Sequence, residues 1–228
     1  MNGQADIASI GALLADGARA DMVLALLGGE SIPAGELARR AGVSPSGASA
    51  HLRRLREGGL VTQESVGRHR YFRLASPELA EALESLARIA PVRPASNFRE
   101  SEGTRALKRA RTCFDHLAGE LGVAVADALV ERDVLRHADD AFIVTGEGTR
   151  WLASLGIDLD EIARARRSFA RACLDWSERR PHLAGSLGAA VADRFFARKW
   201  IRRLPGGRAV AVTADGRAWL ERELGLST

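Results

Sequence analysis

A mainly α-helical chain with small β-hairpins is what the sequence predicts, on three observations. Apolar residues recur at helical intervals through most of the 228 residues. Short strand-like runs follow paired glycines at 58 and 59 and precede basic turns. The second half also repeats itself: "HLAGELGVAVAD" at 116 to 127 returns as "HLAGSLGAAVAD" at 182 to 193, 66 positions later.

Composition sets the outer limits. With 46% hydrophobic residues the chain has enough apolar side chains for more than one small core. No run approaches a membrane span, and the opening "MNGQADIASIGALLADGARAD" lacks the basic end and apolar core of a signal peptide. A cytoplasmic location is therefore expected, with no membrane partner. Two cysteines, Cys113 and Cys173, without CxxC spacing, fit a reducing compartment. The net charge is +4 and nearly all the positive charge is arginine, Lys108 and Lys199 being the two lysines. Between Ser44 and Leu74, six arginines (53, 54, 56, 68, 70 and 73) face two glutamates (57 and 64), so this stretch alone carries +4.

The first ninety residues read as one module. Ile7, Ile10, Leu13 and Leu14, then Met22, Val23, Leu26 and Leu27, mark two helices, the second ended by Gly28-Gly29. Pro33 opens a short helix carrying Leu37 and Ala38, and "AGV" turns the chain. Ser44-Pro45 supplies an N-cap and a first-turn proline for the next helix, on which Ala48, Leu52 and Leu55 pack inward. Short polar groups then lie at its start and arginines toward its end. "LVTQES", "VGRHR" and "YFRLA" form a hairpin with a basic tip. Helix, tight turn, helix and basic hairpin make a winged helix-turn-helix, which places its second helix in the major groove and its basic groups on phosphates. The residues expected to contact DNA are Ser44, Pro45, Ser46, Ser49, Ala50, His51, Arg53, Arg68, His69 and Arg70.

"GVSPSGASAHLRRLREGGLV" at 42 to 61 resembles the recognition segment of the ArsR/SmtB family of bacterial winged-helix repressors, commonly G-L-S-Q-S-x-V-S-x-H-L-x-x-L-x-x-A-G-L-V. Ser44, Ser46, Ser49 and His51 match position for position; Pro45 replaces a polar residue. The resemblance implies a homodimer, formed largely by the first helix and the helix at about Pro77 to Ile89, on a palindromic double-stranded operator. The family's usual metal motifs are missing: "AGELARRAG" has no cysteine pair and "SPELAEALESLARI" has no histidine. A familiar arsenic or zinc sensor is disfavoured.

"PVRPASNFRESEG" at 91 to 103 breaks the helical period and reads as a linker between a 1–90 domain and a 104–228 domain. In the latter, repeats 104–157 and 158–228 align through Thr145/Thr213, Gly148/Gly216, Trp151/Trp219 and Leu152/Leu220, the second copy carrying an extra "WSERRP". Each copy reads as a degenerate winged helix: a helix ending near "HLA", a turn at Gly122 or Gly188, a second helix, a hairpin and a threonine-capped helix. "AVADALVERD" and "AVADRFFARK" lack the serine-histidine pattern of a reading helix. The C-terminal half also resembles extensions of some large ArsR-like regulators, in "CFDHLAG" and "CLDWSERRPHLAG", with no effector implied. A sensory domain is the expectation.

Each copy carries Ala-Arg-x-Cys-x-Asp before its "HLAG". Arg111, Cys113, His116, Arg171, Cys173, Trp176 and His182 are therefore the candidate effector-binding residues. Three readings stay open. The cysteines are small core residues; or the set lines a small-molecule pocket, with the arginines holding an anion; or Cys113 and His116, three apart on one helical face, join Cys173 in soft-metal or thiol-redox sensing. No cofactor is assigned and no metal-ligand set is committed to, although a metal is not excluded. The other tryptophans and the basic runs "RALKRAR" and "RARRSFAR" read as core and solvated surface. Catalytic fingerprints are missing: the sequence has no GxSxG, P-loop or glycine-rich nucleotide loop, so a non-enzyme is expected. The expected function is a transcriptional repressor modulated by a small molecule. The alternatives are a metal- or redox-responsive repressor, a winged-helix scaffold that binds protein, and a sequence-tolerant chromosome-coating protein.

Overall fold

The computed structural model describes residues 5–91, 98–205 and 207–227. The chain divides into two compact units, Met1–Ser85 and Leu86–Thr228.

In the first unit, α1 (Ile7–Leu14) and α2 (Gly17–Leu26) are capped by Asp6 and Asp16, whose carboxylates accept the N–H groups of Ser9 and Arg19. β1 (Ile32–Pro33) leads into α3 (Ala34–Arg40), and a tight turn through Gly42 leads into α4 (Pro45–Glu57). β2 (Val61–Val66) and β3 (His69–Leu74) form the wing, and the sheet order is β1-β3-β2, all antiparallel. Met22, Leu26, Leu37, Leu52, Leu55 and Phe72 are at most 3% exposed and form the core of this winged helix-turn-helix. α1 is different: it buries no residue, and Ile7 is 76% exposed. α5 (Pro77–Ile89) follows the wing and ends at Ile89, 81% exposed.

The proposed linker falls partly outside the described residues, since 92–97 are not among them. Residues 98 to 103 open α6 (Phe98–Arg109).

Beyond α6 the same order of elements occurs twice. β4 (Arg111–Cys113), β5 (His116–Ala118), α7 (Gly119–Glu131), β6 (Leu135–Ala138), β7 (Ala141–Val144) and α8 (Gly146–Ser154) come first. After α9 (Leu159–Ala163) come β8 (Arg171–Leu174), β9 (Pro181–Ala184), α10 (Gly185–Ala197), β10 (Ile201–Arg203), β11 (Val210–Val212) and α11 (Ala214–Leu224). Thr145 and Thr213 cap α8 and α11, accepting from Gly148 N and Gly216 N, as their matched sequence positions predict. Among the described residues, no helix is long and apolar enough to cross a membrane.

One expectation is corrected. "RTCFDHLA" and "RACLDWSERRPHLA" are β-hairpins, not helices, and Gly122 and Gly188 lie inside α7 and α10, not in turns. The helical reading fails at Gly119 and Gly185, whose φ angles of +77° and +78° break the chain between strand and helix. A Cβ there would stand 2.4 Å from the carbonyl oxygens of Lys108 and Ser168 respectively. Gly122 and Gly188 serve close packing: a Cβ on either would lie 2.5 Å from the carbonyl oxygen of Leu117 or Leu183.

Pairing is reciprocal between the two halves. β7 of the first half hydrogen-bonds to β8 of the second through Phe142 N to Ala170 O and Ala172 N to Asp140 O, both 2.8 Å. The strand around Ala209 of the second half meets β4 of the first through Val210 N to Ala110 O and Thr112 N to Arg208 O, both 2.9 Å. The helices cross over as well: α7 packs on β9, and α10 on β5. Leu129, Leu152, Leu187, Phe195 and Leu220 belong to one shared core, in which Trp200 stacks on Trp219 at 3.9 Å.

Candidate DNA-contacting surface and buried four-residue centre

Two places hold the candidate residues, one in each unit. In the first, Ser44 ends the turn before α4 and accepts the Gly47 N–H at 3.2 Å, so part of its hydroxyl capacity is spent as a cap. Ser46 Oγ lies 3.1 Å from Ser44 Oγ. Ser49 donates to the Pro45 carbonyl at 2.9 Å, which leaves its oxygen lone pairs facing outward as acceptors. Ser44, Pro45, Ser46, Ser49, Ala50, Arg53, Arg68, His69 and Arg70 are all exposed. His51 is half-buried, its Nδ1 3.6 Å from Asp16 Oδ1, which fixes the start of α2 against α4. Ser46, Ser49, Ala50, Arg53 and Arg70 line one concavity of about 340 Å³ between α4 and the wing. Arg53, Arg68 and Arg70 make no ion pair among the described residues. A basic, concave, serine-edged surface of this kind suits a polyanion.

The second place is assembled by the two hairpins of the C-terminal unit. The registers are the same in both: Cys113 stands opposite His116, and Cys173 opposite His182. The first hairpin turns through Phe114 and Asp115, Phe114 taking φ +58°; the second turns through the longer 175–180 segment that the extra "WSERRP" supplies. The two hairpins then bring Cys113, His116, Cys173 and His182 together, with their ligand-capable atoms all within 4.8 Å of one another. Sequence spacing suggested Cys113 and His116 on one helical face; they meet across a strand pair instead.

All four side chains are buried, beside Ala118 and Ala184. The cysteines form no disulfide. The imidazoles lie 5.1 Å apart between ring centres. His116 Nδ1 lies 3.3 Å from Asp115 Oδ1, and His182 Nδ1 3.3 Å from Asp175 Oδ2. Nε2 of each ring is buried and has no hydrogen-bond partner among the described residues. The Cys173 thiol is held well below the ordinary thiol range by the adjacent Cys113 and, against the opposing effect of burial, by the neighbouring His116 and His182 rings. Burial disfavours a charged His182, but the neighbouring Asp175 carboxylate and Cys173 thiol outweigh that and raise it.

Arg111 has another task. It is fully buried, gives Nη2 to both Asp175 oxygens at 2.9 and 2.8 Å, and lies 4.7 Å over the half-buried Trp176 ring. Burial alone would raise the Asp175 carboxyl; the His182 ring 3.3 Å away, the Arg111 charge and the Gly119 N–H instead hold it well below the usual carboxylate range. Asp115 is likewise lowered, His116 and Arg167 overcoming burial, with Arg167 Nη1 at 2.5 Å. Sequence reasoning noted both aspartates but assigned them no role. Their position two residues beyond each cysteine was the available signal. Arg171 is half-buried on β8, at the register position equivalent to Arg111.

Comparison with known proteins agrees with the first unit. A family model described as a helix-turn-helix domain matches residues 14–64. The helix-turn-helix-type transcriptional regulator YdfF of Bacillus subtilis is 44% identical over 219 residues, covering 96% of this chain and 97% of that protein. The regulator CmtR of Mycobacterium bovis is 40% identical over 83 residues, covering 36% of this chain and 70% of its own. Among solved structures, the homodimeric winged helix-turn-helix DNA-binding domain of a possible ArsR-family regulator from Mycobacterium bovis is 30% identical. It covers 38% of this chain and 86% of that one, with a TM-score of 0.33. Near-complete coverage at the YdfF level of identity settles the family: the chain belongs to the helix-turn-helix-type transcriptional regulators of bacteria.

Proposed function

We propose that the chain is a homodimeric, cytoplasmic repressor of the ArsR type, whose N-terminal unit holds a palindromic operator and whose C-terminal unit takes the effector. The carrying observation is the surface between α4 and the wing, where exposed Ser46 and Ser49 adjoin Arg53 and Arg70, which have no ion-pair partner among the described residues. In this reading Ser46, Ser49 and Ala50 face base edges, Ser44 and Pro45 fix the start of α4, and His51 steadies it. Arg53, Arg68, His69 and Arg70 meet phosphate. Dimer formation is supported by α1, which buries nothing in a single chain, and by the exposed Leu86 and Ile89 at the end of α5. The C-terminal unit supports an effector role because its halves are interlocked by reciprocal pairing, so one ligand at the hairpins touches both. The chain acts by binding rather than by catalysis.

The test is fluorescence anisotropy of the reduced protein with a duplex from its own upstream region and a scrambled duplex. Preference for the native duplex by at least about 1,000-fold supports an operator-reading regulator. Equal affinity for both overturns it in favour of a chromosome-coating protein, and no binding to either in favour of a protein-binding scaffold.

A further inference from the structure

We propose that Cys113, His116, Cys173 and His182 form a closed, four-coordinate site for one thiophilic divalent ion of the zinc class, and that this ion is the effector of the C-terminal unit. The second clause rests on the regulator reading above; the first stands on the geometry alone.

Donor type and number come first. Two thiols and two imidazoles make a Cys₂His₂ set, the composition that zinc takes in tetrahedral structural sites, and hard oxygen-seeking ions such as magnesium are poorly served by it. Distance comes next. A regular tetrahedron whose edges all had the limiting 4.8 Å length has its centre about 2.9 Å from each corner, whereas zinc bonds run ~2.0–2.3 Å, so each donor closes by at most roughly 0.8 Å on average. Such movement lies within side-chain adjustment.

The orphaned atoms point the same way. His116 is 4% exposed and His182 1%, yet neither Nε2 has a partner among the described residues. A buried polar atom left unpaired is destabilising, and here two of them lie in one cluster beside two thiols. An ion bound through both Nε2 atoms removes both penalties. The opposite ring nitrogens already face carboxylates, Asp115 for His116 and Asp175 for His182. Outer-shell carboxylates of this kind orient a ligating imidazole and strengthen it as a donor. Asp175 is itself anchored by Arg111 and by the Gly119 N–H at 2.7 Å.

The placement gives the ion a mechanical meaning. Each hairpin supplies one thiol and one imidazole, so neither half of the unit can complete the shell alone. Gly122 and Gly188 let the helices approach: Cβ atoms there would lie 3.7 Å from His182 Cβ and 3.2 Å from His116 Cβ. With all four ligands from protein, no position is left open for substrate, as befits a clamp rather than a catalytic metal. Binding would release the protons that the four ligand groups still hold and tie β4–β5 to β8–β9.

The experiment uses the full chain, stripped with chelator under reductant and titrated with Co(II), then Zn(II). The expected result is one Co(II) per chain with the intense visible bands of a tetrahedral ion and a thiolate-to-cobalt charge-transfer band, all displaced by Zn(II). X-ray absorption of the wild-type zinc form should count two sulfur and two nitrogen neighbours, a readout that needs no variant. Cys113→Ser and His182→Asn should each lower zinc affinity by at least about 100-fold, beyond the loss typical of an outer-shell change. A pale six-coordinate cobalt spectrum, or oxygen-only neighbours, overturns the site; so does a Cys113–Cys173 disulfide forming in place of metal uptake. Operator anisotropy with and without Zn(II) then tests the effector role. A change of at least about fivefold supports it. Tetrahedral binding with unchanged operator affinity overturns the effector role alone, and tetrahedral binding without any operator binding overturns the regulator reading while the site stands.

Discussion

Arg111 and Asp175, 64 residues apart in sequence, form a buried ion pair in which one guanidinium nitrogen reaches both carboxylate oxygens at 2.9 and 2.8 Å. Neither side chain has any exposure. The pair joins β4 to the turn after β8, and Asp175 also accepts from Gly119 N, which ties the same carboxylate to the first turn of α7. A carboxylate at a helix N-terminus meets the positive end of the helix dipole, a further reason for Asp175 to remain ionised.

Removing one partner of such a pair leaves an uncompensated buried charge. Arg111→Met is expected to cost about 3–5 kcal/mol of unfolding free energy, whereas the double change with Asp175→Leu should cost less than the sum of the two single changes. Urea unfolding followed by tryptophan fluorescence measures this. A cost below about 1 kcal/mol for Arg111→Met would show that the pair does not organise the unit.

Gly119 and Gly185 carry the second expectation. Their positive φ angles and their 2.4 Å approach to neighbouring carbonyls mean that Gly119→Ala or Gly185→Ala strains the backbone and displaces it. Each should lower stability by about 2 kcal/mol or more. Gly146→Ala, where a Cβ meets nothing within 4 Å, is the control and should be neutral or slightly stabilising. Thermal unfolding of the three variants separates these outcomes.

The same glycines explain what the sequence could and could not tell. The start of α4 was legible because its signals are local: Ser44 caps, Pro45 fits the first turn, and Leu52 and Leu55 set the buried face. The wing was legible for a similar reason, alternation bounded by glycines. β4 and β5 were not. They are three residues each, too short for alternation to be distinguished from helical spacing, and the conformation that separates them from α7 is decided at Gly119 by packing against Lys108. The repeat did reveal that Cys113 and Cys173 are equivalent positions. Their meeting with both histidines depends on reciprocal pairing between the halves, which no local pattern encodes.

Exposed apolar groups on α1 and α5 lead to a prediction about assembly. Ile7→Glu and Ile89→Glu, made separately, should each weaken self-association by at least about tenfold, since burying an isoleucine is worth roughly 1.5–3 kcal/mol. Sedimentation velocity over a concentration series reads the shift toward monomer, and operator affinity should fall with it. Neither residue is buried in the single chain, so the variant monomers should still fold. Unchanged self-association in both would remove these helices from the dimer.

The DNA surface allows a sharper division of roles. Ser44 accepts from Gly47 N and Ser49 donates to Pro45 O, so the two serines differ although both are exposed. Ser44→Ala removes a cap and should cost about 1 kcal/mol of stability. Ser49→Ala removes a bond back to its own helix, which contributes little to stability; its effect should appear as about 1–3 kcal/mol weaker binding to the operator and almost none to scrambled DNA. Arg68→Ala, at the wing tip, should weaken both duplexes alike and reduce the slope of log affinity against log salt by about 1 for each phosphate no longer neutralised. Anisotropy titrations at several salt concentrations distinguish the three patterns. If Ser49→Ala weakened both duplexes equally, α4 would hold the backbone rather than read bases, and specificity would have to come from DNA shape.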